Sequence, residues 1–340
     1  EMTSSLVGSE MCIRDRNIIR IDVDNSKQPN SRWYSGSGIY RDVNLWTGKD
    51  VYISHDKLRI TTLSVNDDMA VIEVCAQLKN IIGHGLEAEC LIEIKKDGQK
   101  TASDTQRVVF RSEQMQTVRV QIPIEHPKKW SPKQPALYEC HITTKFDDKI
   151  CDEAVSNFGI RVLALDPVRG LQINGETVKL RGTCIHHDNG VIGAETFKEA
   201  EWYRCKRLKE AGFNAIRSAH HPMSRAMLDA CDHIGMLVMD ELTDMWDKEK
   251  NTYDFSDIFE DEYNQWINHM VEKDYNHPSV IIYSVGNEIQ EAGTKQGAWI
   301  NRMLCNKFHE LDNTRYTTNA LNGLNCAGTV SYTHLTLPTI

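Results

Sequence analysis

Between about residues 17 and 160, apolar and polar positions alternate with a period of two. At that spacing successive side chains leave opposite faces of a strand. The segments 58–65, 69–78, 88–94, 118–124 and 137–144 follow this rule. Turn-forming groups separate them: Asn66-Asp67-Asp68, Gly83-His84-Gly85, Asp97-Gly98 and Asp147-Asp148. Several short strands at this spacing predict an antiparallel β-sandwich of about 100 residues, placed over 50–165. The stretch 17–49, through Tyr34-Ser35-Gly36-Ser37-Gly38-Ile39-Tyr40, is too short for a domain. It reads as the closing strands of a β-domain whose beginning is lost.

After Asp166-Pro167 the period changes. A strand is expected at Val178-Lys179-Leu180-Arg181-Gly182. A capping box of Thr196 and Glu199 would open a helix ending at Gly212, with Ala200, Tyr203, Leu208 and Ala211 along one side. Asn214-Ala215-Ile216-Arg217 is strand again. Ser224 caps a helix with Met227, Cys231 and Ile234 at helical spacing, stopped by Gly235. Met236-Leu237-Val238-Met239 is a third strand, 259–276 a third helix, 280–285 a fourth strand and 298–311 a fourth helix. Arg315-Tyr316-Thr317-Thr318-Asn319 opens a fifth strand. Strand and helix alternating four times across short connections predict a parallel β/α arrangement.

Composition narrows the function classes. Hydrophobic residues make up 40% of the 340, a globular proportion, and no segment approaches the roughly 20 apolar residues of a membrane span. A net charge of −9 without a long basic run argues against nucleic acid and anionic membrane surfaces. Ten cysteines at irregular spacings, with no Cys-x-x-Cys, read as free thiols of a reducing compartment and favour the cytoplasm. Gly36-Ser37-Gly38 lacks the further glycine and the helix of a phosphate-binding loop. Both ends look foreign. Residues 1–16, with Ser9-Glu10-Met11-Cys12-Ile13-Arg14-Asp15-Arg16, and 330–340 resemble translated sequencing-adapter sequence and are set aside from fold reasoning. The chain then reads as an internal fragment whose true termini, including any signal peptide, are not visible.

Polar residues cluster where the barrel-type strands end. The first expected strand leads into His186-His187-Asp188 and the second into Ser218-Ala219-His220-His221. The third ends in Asp240-Glu241, and the fourth in Val285-Gly286-Asn287-Glu288. In parallel α/β barrels these ends share one face, whose loops build the active site.

Several motifs carry a family resemblance in unbroken order over roughly 30–325. They are Ser37-Gly38-Ile39-Tyr40-Arg41-Asp42-Val43, Trp130-Ser131-Pro132, Phe158-Gly159-Ile160-Arg161, Ile173-Asn174-Gly175, Leu180-Arg181-Gly182, Asn214-Ala215-Ile216-Arg217 through His221-Pro222, and Gly286-Asn287-Glu288. Together they resemble glycoside hydrolase family 2, and His186-His187-Asp188 with Asp244-Met245-Trp246 look most like its bacterial β-galactosidases. The resemblance implies a multidomain β plus α/β chain. Residues 17–49 would be the remnant of a jelly-roll sugar-binding domain, 50–165 an immunoglobulin-like sandwich, and 166–329 the first half of a (β/α)₈ TIM barrel.

It also implies a retaining exo-glycosidase acting on terminal β-D-galactosides. One carboxyl protonates the departing oxygen, and a second, about 5–5.5 Å away, attacks the anomeric carbon. By position Glu288 matches the general acid/base. Asn287 matches the amide that holds the sugar 2-hydroxyl, and Arg217 an arginine beneath the nucleophile. His220 and His186 match ligands of substrate hydroxyls, with His187 and His221 as readily structural. Glu241 is the more promising of Asp240 and Glu241 to face the sugar, and Trp246 would stack on it. The nucleophile belongs to strand seven, and no glutamate of this chain matches it. Glu291 and Glu310 both fall in the helical region after Glu288, so the fragment itself is expected to be inactive. Some family members bind magnesium through a Glu and a His after strand three. Met245 and Asp247 hold those positions here, so no metal and no cofactor is expected. The expected partner is a carbohydrate substrate, with a homo-oligomeric parent allowed.

Two alternatives stay open. The specificity could be that of a β-glucuronidase or β-mannosidase of the same family, or the chain could be a noncatalytic carbohydrate-binding sandwich protein. A metal-dependent amidohydrolase barrel fits less well. It wants His-x-His, and side chains of the adjacent His186 and His187 could not both face inward from a regular strand.

Overall fold

The computed structural model describes residues 2–7, 18–34 and 36–322. Of the two segments expected to be foreign, 330–340 and all of 1–16 except 2–7 lie outside the described residues. Strand β1 (Met2–Val7) pairs antiparallel with β2 (Ile18–Val23). No further strand or helix occurs among the described residues up to 50.

Eight strands follow: β3 (Val51–Ile53), β4 (Arg59–Val65), β5 (Met69–Asn80), β6 (Leu86–Lys96), β7 (Gln99–Phe110), β8 (Met115–Glu125), β9 (Tyr138–Phe146) and β10 (Lys149–Phe158). They form two antiparallel sheets. One has the order β10-β9-β6-β7, and in the other β5 pairs with β8 along one edge and with β3 and β4 along the other. The tight turns are set by local chemistry: Asp97, Gly98, Asp147 and Asp148 all take positive φ, as two-residue hairpin turns between twisted strands require. Alternation then decides the core. Ala70, Ile72, Val74, Ala76 and Leu78 of β5 meet Cys90, Ile92 and Ile94 of β6, all 0% exposed. Each larger side chain so buried contributes about 1.5–3 kcal/mol.

A short meander of β11 (Leu163–Asp166), β12 (Gly170–Ile173) and β13 (Glu176–Thr177) leads into the β/α part. There β14 (Gly182–Ile185), β15 (Ala215–Ser218), β16 (Leu237–Glu241), β17 (Val280–Asn287) and β18 (Tyr316–Ala320) lie side by side in chain order. Every pairing among them is parallel. Between them run α1 (Lys198–Glu210), α2 (Arg225–Ile234), α3 (Ser256–Asp274) and α4 (Lys295–Leu311). This is a partial TIM barrel, and with the immunoglobulin-like sandwich it makes the chain multidomain β plus α/β. Strand β17 is buried almost throughout, as its apolar run requires.

Two local expectations are corrected. The first barrel strand is Gly182–Ile185, not 178–182. Residues 179 and 181 are held by Asn214, which donates to the Lys179 carbonyl and accepts from the Arg181 amide, so the run before the ladder is tied by a side chain. The capping box at Thr196 does not form either: its hydroxyl donates to the Ala194 carbonyl, and Phe197 stands at the helix N-cap. The Ser224 cap does form, accepting from the Met227 amide, and Gly235 ends that helix at φ 77°.

Sandwich and barrel are keyed together by buried groups. The Trp130 indole, 0% exposed, donates to the Asp232 carbonyl. Arg161 donates to the Pro278 and Val280 carbonyls at the start of β17. Within the barrel itself, Arg315 then braces the same turn: it donates to the carbonyls of Asp274, Tyr275, His277 and Val280 and pairs with Asp312. Gly159 is the contact point. A Cβ there would lie 2.8 Å from both Pro278 and Trp130, which explains the glycine of Phe158-Gly159-Ile160-Arg161.

Candidate active site

The C-terminal ends of the parallel strands gather the expected residues around one buried carboxylate. Glu241, at the end of β16, is 0% exposed. Arg217 of β15 grips it with two nitrogens at 2.7–3.1 Å, His220 Nδ1 lies 2.7 Å away, and the Ser284 hydroxyl donates at 2.6 Å. Both carboxylate oxygens are thereby engaged, Oε1 by Arg217 and His220 and Oε2 by Arg217 and Ser284. Glu241 therefore organises the floor, and its expected direct role in holding substrate is corrected: the sugar would meet the groups that Glu241 orients. Burial works against the Arg217 charge, but the Glu241 carboxylate outweighs it and holds the guanidinium above its ordinary pKa.

Arg217 also donates to Asn287 Oδ1 at 2.7 Å, while Asn287 Nδ2 donates to Asp244 Oδ1 at 2.7 Å. The amide of Asn287 is thus fixed in both orientation and flip, with one N–H left for a ligand. Next to it, Glu288 turns out of the strand at φ 44°, a conformation unusual for a residue with a Cβ. Its amide donates to the Ala320 carbonyl at 2.6 Å, which pins the turn to β18. The Glu288 side chain is 45% exposed at the mouth. Gly286 makes the turn possible, since a Cβ there would come within 2.7 Å of Ile289.

Asp240 points the other way. It accepts from the Met223 amide and from Lys273, which also pairs with Asp274 on α3. Burial, followed by the opposing pull of Lys273 and the added push of Asp240, raises the Asp274 carboxyl to about 7 from its ordinary 3.8. The native state therefore keeps a proton between about pH 4 and 7 that the unfolded chain has lost. The stability this group contributes is present at low pH and lost as pH rises through that window. Relative to Asp274→Asn, which stays neutral, the wild-type protein should lose stability between pH 4.5 and 7.5 in urea unfolding. Parallel pH profiles for the two would refute this.

The four histidines divide. His220 and His186 line the mouth, ring centroids 5.3 Å apart and each 5.3 Å from Trp33. Burial and the neighbouring His220 hold His186 below its ordinary pKa, so it is neutral at pH 7. His187 and His221 pack against each other, ring centroids 3.8 Å apart and tilted by 31°, and His221 also stacks on Trp33 at 6.2 Å. Arg41 donates to His187 Nδ1, which fixes the neutral tautomer with the proton on Nε2, and burial depresses the His221 pKa to about 3. Both His186 and His187 lie beyond the end of β14, where the alternation of a regular strand no longer separates them.

Trp246 is corrected as well. Its ring is 1% exposed in the barrel core, and its indole donates to the Val285 carbonyl, so it offers no face to a sugar. The aromatic at the mouth is Trp33, which the sequence reading did not single out. Nor does the sequence single out Arg32 or Lys250, and Asp244 appears there only as part of the Asp244-Met245-Trp246 motif, with no role of its own. Arg32 pairs with Asp244 and Glu288, and the buried Lys250 pairs with Asp244 and donates to the Asn287 carbonyl. Only the Arg32-Trp33 pair just ahead of the Gly36–Tyr40 motif could have flagged Arg32 and Trp33. Glu291 accepts from the Lys248 amide, and Glu310 pairs with Lys307 on α4, so neither faces the mouth.

The donor set does not suit magnesium. Met245 is a buried thioether, Asp247 accepts from Gln296, and Asp244 is already ringed by Arg32, Lys250 and Asn287. The eight cysteines among the described residues are free thiols, and no described helix is long and apolar enough to cross a membrane.

Known proteins share this fold. The chain matches the model for Glycosyl hydrolases family 2 over residues 51–161 and that for Glycosyl hydrolases family 2, TIM barrel domain, over 168–333. It is 34% identical over 286 residues to β-galactosidase BoGH2A of Bacteroides ovatus, covering 81% of this chain and 32% of that protein. To a β-glucuronidase of Bacteroides fragilis it is 28% identical, covering 84% of this chain and 42% of that one. It superposes on a glycosyl hydrolase family 2 member from Bacteroides cellulosilyticus with a TM-score of 0.83 at 35% identity, over 91% of this chain and 41% of that chain. The chain thus spans between about a third and two fifths of the length of these curated relatives. Two models of one family fall in order on the sandwich and the barrel, and the barrel's strand ends gather the motif residues. The chain belongs to glycoside hydrolase family 2.

Proposed function

We propose that the protein carrying this segment is a retaining exo-glycosidase of terminal β-D-galactosides, with Glu288 as general acid/base and the nucleophile supplied from beyond this chain. The observation that carries the reading is the Asn287–Glu288 turn. A preset amide and a half-exposed carboxyl stand side by side over a buried, arginine-clamped floor. The free N–H of Asn287 would hold the sugar 2-hydroxyl, a contact that strengthens as positive charge builds at the anomeric carbon. Glu288 would protonate the leaving oxygen and later deprotonate the water that releases the glycosyl-enzyme. His186 and His220 would bind other hydroxyls, with Trp33 beside them.

A neutral sugar is favoured because, among the described residues, the cations near the mouth are committed. Arg32, Lys250 and Arg217 all serve carboxylates, and Arg41 serves His187 and the Pro222 carbonyl. A glucuronide would need a further cation for its carboxylate, although the Bacteroides fragilis relative is named a β-glucuronidase. Nitrophenyl β-galactoside, β-glucuronide and β-mannoside should be offered to the full-length enzyme, with the first-formed anomer followed by NMR. The expected result is a preference for the galactoside with β-product first. α-Product first would rule out retention, and a preference for the glucuronide would overturn the neutral-sugar reading. Absence of turnover, with sugar bound by the sandwich, would favour a binding module.

A further inference from the structure

We infer that Arg32 positions the Glu288 carboxylate from outside the barrel, and that Asp244 exists in this site to hold Arg32; the inference rests on Glu288 being the acid/base. Arg32 lies in the segment before the sandwich, 256 residues from Glu288 in the chain. Its Nε and Nη2 make a two-pronged contact with Asp244 at 3.1 and 2.7 Å, leaving Nη1 to reach Glu288 Oε2 at 3.2 Å. Among the described residues, Arg32 is the one side chain that donates to the Glu288 carboxylate. The guanidinium is planar, so fixing two nitrogens on Asp244 fixes where the third points.

Asp244 is built for this task. Its carboxylate is 1% exposed and accepts from Arg32, from Lys250 and from the Asn287 amide. Burial alone would raise its pKa, but those hydrogen bonds outweigh it and keep the group ionised. One carboxylate therefore orients the amide expected on the 2-hydroxyl directly, and the acid/base through Arg32. The next residue, Trp33, packs on His186 and His220, so two consecutive side chains of the same segment close two sides of the mouth. The mouth is completed by chain that precedes the sandwich, and this explains why Arg32 is half-exposed yet doubly paired.

A positioning role differs from simple bracing of the segment in how it reads out. In the full-length enzyme, Arg32→Gln should lower kcat/KM for alkyl β-galactosides roughly 10–100-fold, the scale of a modest misplacement of a catalytic group. Dinitrophenyl glycosides, which need little protonation, should lose much less. The double variant Arg32→Gln/Glu288→Gln should be no slower than Glu288→Gln alone, because the two act as one unit. Arg32→Lys should fall between wild type and Arg32→Gln, and it carries the same substrate comparison if the glutamine variant does not fold. Equal losses on both substrate classes, or a double variant that multiplies the single losses, would overturn the inference. If Glu288→Gln itself shows no dependence on the leaving group, the acid/base reading has failed first. If it does and Arg32→Gln does not, only the positioning role is wrong.

Discussion

Glu288→Gln in the full-length enzyme is expected to lower kcat/KM for substrates with poor leaving groups by roughly 10²–10⁴-fold, the range of general acid catalysis. An alkoxide departs slowly without a proton, whereas a dinitrophenolate hardly needs one. The loss should therefore grow with the leaving group's pKa. The quantity to follow is kcat/KM, since it reports the steps up to formation of the glycosyl-enzyme and leaves out its hydrolysis, where Glu288 would act again as base. Glutamine preserves the shape, and the turn is held by the backbone bond from Glu288 to Ala320, so the fold should survive. The side chain meets solvent at the mouth and makes its contact with Arg32 there. Losses of the same size on alkyl and dinitrophenyl substrates would show that Glu288 does something other than move a proton to the leaving group.

Much of this arrangement was legible because burial and periodicity speak the same language. Strands β5, β6 and β8 bury alternate residues, so a period of two revealed them. Strand β7 was missed because its first nine residues are polar or small and carry no buried side chain. On α1 the expected apolar side was misjudged. Tyr203 of that set is 64% exposed, while Glu201 and Cys205 are buried, Glu201 tied by Asn189 and Arg204. A polar residue turned inward is invisible to a hydrophobic pattern.

The strand-end residues were legible as a set because a parallel barrel puts its strand ends together whatever the loops do. What each one touches was not. Glu241 and Trp246 look like ligands in the sequence and are fully buried in the structure, one under Arg217 and the other under Gly286. Arg32 and Trp33 were hidden for a different reason. They come from far upstream, and nothing in local spacing says that a segment ahead of one domain will lie over the mouth of another.

Arg217→Met is expected to destabilise the barrel by about 3 kcal/mol or more, the cost of leaving a buried carboxylate without its cation. Glu241 is 0% exposed, and Arg217, only 21% exposed, supplies its shortest charged contacts. Methionine fills much of the arginine stem's volume, so the loss would come from charge and hydrogen bonding more than from a cavity. His220 and Ser284 would remain on Glu241, and they put the expected cost at the lower end of the range for broken buried pairs. Asn287 would lose the donor on its Oδ1, so activity should fall even in the folded fraction. Adding Glu241→Leu distinguishes charge from packing. If the unpaired carboxylate is the cause, Arg217→Met/Glu241→Leu should be more stable than Arg217→Met, because the buried charge has gone with its partner. Urea unfolding followed by tryptophan fluorescence reads both variants. A single variant that loses less than about 1 kcal/mol, or a double variant less stable than the single, would mean that Arg217 does not carry the floor of this site.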